Sequence, residues 1–308
     1  MKRLIVAVLW LGACGGGGET IPIDELEARA TEVLCSFEVR CGVLPDPAAC
    51  QHVSLESQLL ADVKAGKVIY DGGAAAACLD FDNGLSCKVS EQKFSIVDHA
   101  PSCNETFKGT VAPGGSCLTD AECLSQTCHK SGCDGTTACC TGTCTAKVLA
   151  GGDCSASGAE CAEGLFCRRN TTDQTAICTA PIPDGQPCTS GGDICVAGRR
   201  CILVTSTSAG TCGVLPARGQ ACPDNFCDSP ADVCDPASKT CVARIAVGGD
   251  CAVISKGCVA YAKCDGATKT CVALKRAGEA CAQATDCLFG LACTDGLCVA
   301  HTDDPVCP

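Results

Sequence analysis

The chain has 308 residues, of which 35 are cysteine and only 3% are aromatic. With so few of the side chains that dominate core burial, it cannot build one ordinary core, and cross-links must supply the stability. A cysteine share of about 11% (35 of 308) persists oxidised only outside the cytoplasm. The formal net charge of −12 at pH 7 argues against phosphate binding, so no nucleic acid is expected as a partner.

In chain order, Met1-Lys2-Arg3 gives a basic start, and Leu4 to Leu11 is an apolar run too short to span a bilayer. Leu11-Gly12-Ala13-Cys14 follows at once and resembles a bacterial lipobox. That resemblance implies a lipoprotein signal peptide over 1–13, a lipid such as palmitate on Cys14, and a glycine tether over 14–20. Gly15, where an aspartate would direct retention, implies sorting to the outer membrane. The expected setting is therefore the cell envelope, an outer-membrane lipoprotein exposed to the periplasm or cell surface, with the membrane as partner through the lipid anchor.

Residues 21–112 read as a small α-helical domain. Asp24 followed by Glu27 signals a helix start with a capping carboxylate, and Leu26, Ala30, Val33, Leu34 and Phe37 recur at helical spacing up to Cys41. Asp46 before Pro47 repeats the start signal for a second helix, whose apolar face is Leu55, Leu59, Leu60 and Val63, ending at Gly66. A third helix is expected from Gly73 to Phe81. Six cysteines (Cys35, Cys41, Cys50, Cys78, Cys87 and Cys103) suit three disulfides that clamp this domain.

From residue 113 to 308 a cysteine-rich unit occurs six times. Its first cysteines are Cys117, Cys154, Cys188, Cys222, Cys251 and Cys281, each with a glycine three residues before it: Gly114, Gly151, Gly185, Gly219, Gly248 and Gly278. A glycine so placed argues for a turn that only glycine tolerates. Nine residues always separate the last cysteine of one unit from the first of the next, as from Cys144 to Cys154. Three units share C-x-x-G-x-x-C around Gly164, Gly198 and Gly290, whereas the fifth has Tyr261 there, so its turn must differ. The segments 235–240 and 265–270 read as tight hairpin loops. The expected fold is small disulfide-rich repeats of short β-hairpins in an elongated, rod-like array after the helical domain, because a lone hairpin is marginal in water and needs cross-links and a neighbour.

This cysteine and glycine plan resembles the modules grouped with the Dickkopf N-terminal region and small EGF-like domains, and the whole chain resembles cysteine-rich predicted lipoproteins of the myxobacterial type. Sequence alone allows three connectivities per four-cysteine unit. The EGF-like resemblance implies crossed bonds, first to third and second to fourth: Cys154–Cys167 and Cys161–Cys178, Cys188–Cys201 and Cys195–Cys212, Cys222–Cys234 and Cys227–Cys241, Cys251–Cys264 and Cys258–Cys271, Cys281–Cys293 and Cys287–Cys298. A rival register joins each third cysteine to the next unit, pairing Cys293 with Cys307 and drawing Cys117 into the helical domain's set. Otherwise Cys307 is the stub of a seventh unit, with a free or intermolecular thiol.

No two cysteines stand in C-x-x-C, and His52, His99, His129 and His301 are scattered, so neither a metal nor another cofactor is expected. No G-x-S-x-G elbow occurs, and nothing assembles an acid, base and nucleophile, which points away from an enzyme. The expectation is a surface-displayed structural or interaction module for an extracellular protein or glycan ligand. The alternative is a disulfide-framework protease inhibitor, suggested by Cys133, Cys139 and Cys140 added to the first unit.

Overall fold

The computed structural model describes residues 19–51, 54–92, 101–131, 139–155, 159–169, 175–189, 192–203, 209–300 and 306–307. The expected signal peptide over 1–13, Cys14, most of the expected tether, Cys133, His52, His99 and His301 lie outside the described residues. Helix α1 (Ile23–Arg40) has Asp24 and Glu25 in its first turn and Arg40 in its last, which complements the helix dipole. The expected capping carboxylate is absent: Pro22 is the N-cap and offers no side-chain bond, and Glu27 instead accepts the Leu55 N–H at 2.9 Å. Asp46 caps only a single 3-10 turn, Pro47–Ala49, and α2 (Ser57–Lys64) follows, closing before Gly66 at φ 73°. Strand β1 (Val68–Tyr70) leads to α3 (Gly72–Asn83), where the Asp71 carboxylate accepts the N–H groups of Gly73 and Ala74.

Helix α4 (Pro101–Thr106) runs into β2 (Phe107–Gly109), which pairs antiparallel with β1. Ile21, Leu26, Ala75 and Ala76 are buried between these elements, with Tyr70 and Phe107 packed against them. Three disulfides, Cys35–Cys50, Cys41–Cys87 and Cys78–Cys103, staple this small core. No described helix is long and apolar enough to cross a membrane.

The rest is a run of short hairpins, the fold class expected from the sequence. The first unit holds β3 (Ser116–Cys117), β4 (Cys128–His129) and β5 (Gly142–Cys144), with β5 central. The second pairs β6 (Phe166–Arg169) with β7 (Ala176–Thr179). The third holds β8 (Pro187–Thr189), β9 (Arg200–Leu203) and β10 (Ala209–Gly213) in the order β8-β10-β9. Pairs β11 (Asp232–Cys234) with β12 (Cys241–Ala243), β13 (Ala262–Cys264) with β14 (Cys271–Ala273), and β15 (Leu291–Thr294) with β16 (Leu297–Ala300) complete the array.

The six turn glycines all have φ between 76° and 90°, the left-handed region that disfavours a side chain. Each donates its N–H to the carbonyl of its unit's last cysteine at 2.7–2.8 Å. Three residues before the glycine, Val111, Val148, Ile182, Ile245 and Lys275 each form a parallel bridge with the second cysteine of the unit. Pro216 holds that place in the fourth unit, and having no N–H it only accepts, from Asp228 at 3.0 Å. The constant junction is thus folded into the unit that follows it, which fixes its length.

Tyr261 keeps the turn bond of its unit, from the Ala262 N–H to the Val259 carbonyl at 2.9 Å, but it does so without positive φ, as a type I rather than type II turn requires. The tyrosine packs beside a cluster of Leu44, Ala49 and Leu288 that joins the last units to the helical domain. Other contacts continue this docking. Asn104 donates to Glu163 at 3.1 Å, Ser90 donates twice to Asp228 (2.7 and 2.6 Å), Arg276 pairs with Asp46 at 2.6 Å, and Gln51 donates to the Phe289 carbonyl at 2.8 Å. Through these contacts the array bends along the helical domain.

Two glycine substitutions separate backbone strain from docking. An added Cβ on Gly278 meets nothing within 4 Å, so Gly278→Ala carries only the left-handed backbone cost, about 1–2 kcal/mol. At Gly198 (φ 70°) the Cβ falls 2.8 Å from the Ser90 carbonyl oxygen, so Gly198→Ala is expected to lose more in non-reducing urea titrations. Equal losses would show that this contact with the helical domain contributes nothing.

Candidate functional site

In every four-cysteine unit the structure joins the first cysteine to the third and the second to the fourth. The bonds are Cys154–Cys167, Cys161–Cys178, Cys188–Cys201, Cys195–Cys212, Cys222–Cys234 and Cys227–Cys241. They continue with Cys251–Cys264, Cys258–Cys271, Cys281–Cys293 and Cys287–Cys298. In several units the sulfurs of the first, second and fourth cysteines lie within 4.8 Å of one another, a cluster that resembles a metal cage in geometry alone. These are two stacked cystines with no thiolate to offer, and they fill the space a hydrophobic core would occupy. The last cysteine of every unit is at most 1% exposed.

The free or intermolecular thiol expected at Cys307 is not what the structure has. Cys307 bonds Cys139 of the first unit across a sequence separation of 168, and the Cys307 N–H donates to Gln58 of α2 at 2.6 Å. The rival register fails as well, since Cys293 bonds Cys281 and Cys117 bonds Cys128, with Cys123–Cys144 beside it. Local pairing leaves one cysteine over in the first unit and one at the C-terminus, and the bend of the array brings those two together. Linear spacing carries no trace of that bend. Cys140 is also disulfide-bonded, and His129 lies in β4 opposite Thr143.

Beside this clasp, α2 meets the first unit through two buried carboxyls. Asp62 and Glu122 are each 1% exposed. Gln58 donates to Asp62 at 2.9 Å and Thr119 at 3.3 Å, while Lys67 pairs with Glu122 at 2.7 Å and the Leu118 N–H donates to it at 2.5 Å. Burial pushes the Asp62 carboxyl above its ordinary range, and the charge of Glu122 adds to the rise. Burial also opposes ionisation of Glu122, but the Lys67 ammonium and the Leu118 N–H more than offset it and hold that carboxyl below its usual range. The joint therefore sets an aspartate whose carboxyl is raised by burial beside a glutamate whose carboxyl is lowered by its partners.

A large recess among the described residues lies where the third unit faces the helical domain. It is a cleft of about 760 Å³ between Val89 and Gln92 on one wall and Ile194, Val196 and strand β9 on the other, with Phe226 of the fourth unit at its end. The Arg200 guanidinium sits 5.7 Å over the Phe226 ring. Asp193, on the same wall, is neutralised by Arg168 at 2.8 Å and accepts the Thr189 N–H at 2.8 Å. Nothing in the sequence marked this cleft, because residues 89–92, 194–203 and 226 meet only through docking. No family model, curated protein or solved structure matches the chain.

Two sets of variants test the joint and the clasp. The lowered pKa of Glu122 means that its stabilisation is present above the unfolded value near 4.5 and is lost as pH falls through the folded value. Glu122→Gln should therefore cost most at pH 7 and progressively less in acid. The raised pKa of Asp62 has the opposite sign, with its stabilisation fading as pH rises, so Asp62→Asn should be neutral or stabilising at pH 7. Thermal melts from pH 3 to 8 read both. For the clasp, Cys139→Ser with Cys307→Ser should cost about 2–4 kcal/mol in urea titration. Non-reducing peptide maps of the parent chain should yield a Cys139–Cys307 pair, and a Cys293–Cys307 pair would refute the closure.

Proposed function

We propose that the chain is a non-enzymatic lipoprotein of the cell envelope, held by a lipid on Cys14 and displaying its repeats as an interaction surface for an extracellular protein or glycan. The observation that carries this reading is the oxidation state: every described cysteine is in a disulfide, which suits only an oxidising compartment. The basic start, the short apolar run and Leu11-Gly12-Ala13-Cys14 support an anchor at the mature N-terminus. The repeats are of the Dickkopf N-terminal or EGF-like kind, modules used for binding and spacing. Their cystine centres hold loops rigid, and rigid loops lose little entropy on engaging a partner.

The protease-inhibitor alternative drew on the extra cysteines of the first unit as a frame for a cleavable loop. Cys139 has a structural use in the bond to Cys307, so that motive is weaker. Expression of the full chain and its Cys14→Ser variant, with a clickable palmitate analogue, tests the anchor. The parent should be labelled and sediment with membranes, and the variant should be unlabelled and released. Retention of the variant in membranes after detergent-free washing would end the lipoprotein reading.

A further inference from the structure

We propose that the cleft between the helical domain and the third unit binds an extended peptide, which adds as a strand to the open edge of β9 and places an acidic side chain against Arg200. The proposal deepens the interaction reading above by naming the surface and the chemistry of its partner.

Three observations support it. First, β9 is an edge strand: the sheet order is β8-β10-β9, and among the described residues no backbone hydrogen bond links Arg200–Leu203 to anything beyond β10. An open edge presents a row of unpaired N–H and C=O groups that only another extended backbone can match. Second, β9 lines a recess rather than bulk solvent. Arg200, Cys201 and Leu203 form part of the wall of the 760 Å³ cleft, a size typical of ligand sites. Val89, Val196 and Leu203, with Phe226 at 53% exposure, offer apolar contacts for alternate side chains of an added strand.

Third, among the described residues Arg200 is the one charged group of these walls without an ion pair. Arg199 is paired with Asp184 at 3.0 Å and Asp193 with Arg168, whereas Arg200 rests on the Phe226 ring, with the Asp224 carboxylate near enough to act on it through charge alone. In a chain of net charge −12, an unpaired guanidinium at the mouth of an apolar cleft selects a carboxylate. A glycan would use the aromatic ring but would leave the strand edge unmatched. The other hairpins also have open edges, but this one borders a recess of such size and carries a cation without an ion pair among the described residues.

The probe is a fluorescein-labelled heptapeptide of alternating valine and threonine with a central glutamate, titrated against the oxidised full chain by anisotropy. Saturable binding is expected. N-methylation of alternate peptide amides should weaken it by at least about tenfold, and a central lysine in place of glutamate by about tenfold. Arg200→Glu should reverse the preference between the glutamate and lysine peptides. Absence of binding, or binding that ignores N-methylation, overturns the proposal, as does a glutamate preference that survives Arg200→Glu. So does sedimentation as a dimer that Arg200→Glu dissociates and the peptide does not, which would assign the edge to a second copy. A disulfide map and urea midpoint matching the parent certify the variant. Should it misfold, the N-methylated comparison on the parent chain and Phe226→Ala, expected to weaken the glutamate peptide, decide the matter. Failure here leaves Cys14-dependent anchoring untouched, so the two proposals fail separately.

Discussion

Two backbone bonds hold each unit together: the turn glycine donates to the carbonyl of the last cysteine, and that cysteine's N–H returns to the residue after the glycine, for example from Cys271 to Gly249 at 2.9 Å. The last cysteine is buried, its side chain is bonded to the second cysteine, and the second cysteine receives the parallel bridge from the junction. One residue therefore fixes the entering turn, the hairpin and the junction together. If the glycine lost its left-handed conformation, the last cysteine's carbonyl would be left without its partner inside a unit that has no apolar core to compensate.

Between units a second device recurs. A carboxylate near the second cysteine accepts a backbone N–H of its own unit and also pairs with a cation from the segment before it. Glu122 does this with Lys67, Asp193 with Arg168, and Asp286 with Lys263. In each pair the carboxylate is mostly buried and the cation is part-exposed, so desolvation of the carboxylate offsets much of the attraction. Their value is geometric, because a carboxylate fixed by the backbone, such as Asp286 on the N–H groups of Ala282 and Gln283, sets where the cation and the preceding strand must lie. Arg244 performs a related task by donating to the carbonyls of Pro230 and Cys258 at 2.8 and 3.0 Å, bridging the fourth and fifth units.

What was legible in the sequence was local. Glycines at fixed offsets announced positive φ, the 235–240 and 265–270 loops announced hairpins, and the 3.6-residue spacing announced α1. Asp46-Pro47 misled because a capping signal specifies a start and not a length; only one 3-10 turn follows it. The β1/β2 ribbon escaped notice because strands of three residues show no alternation worth reading. The bend of the array, the cleft and the clasp depend on side-chain pairs such as Arg276 with Asp46 and Gln51 with Phe289, more than two hundred positions apart. No periodicity records such pairs.

The bond between Cys139 and Cys307 has a consequence for biogenesis. The described disulfides within the six units span separations of 11 to 21 residues, so each has both partners available soon after its unit is synthesised. Cys139 must wait for nearly the whole remaining polypeptide. During that interval it sits next to Cys140 as a reactive thiol surrounded by newly formed bonds, open to exchange with them. Chain order thus imposes an order on oxidation, and this bond closes only once the array is already curved. Chains that end between Cys140 and Cys307 would keep Cys139 without its partner, a chemical mark that distinguishes them from the closed chain.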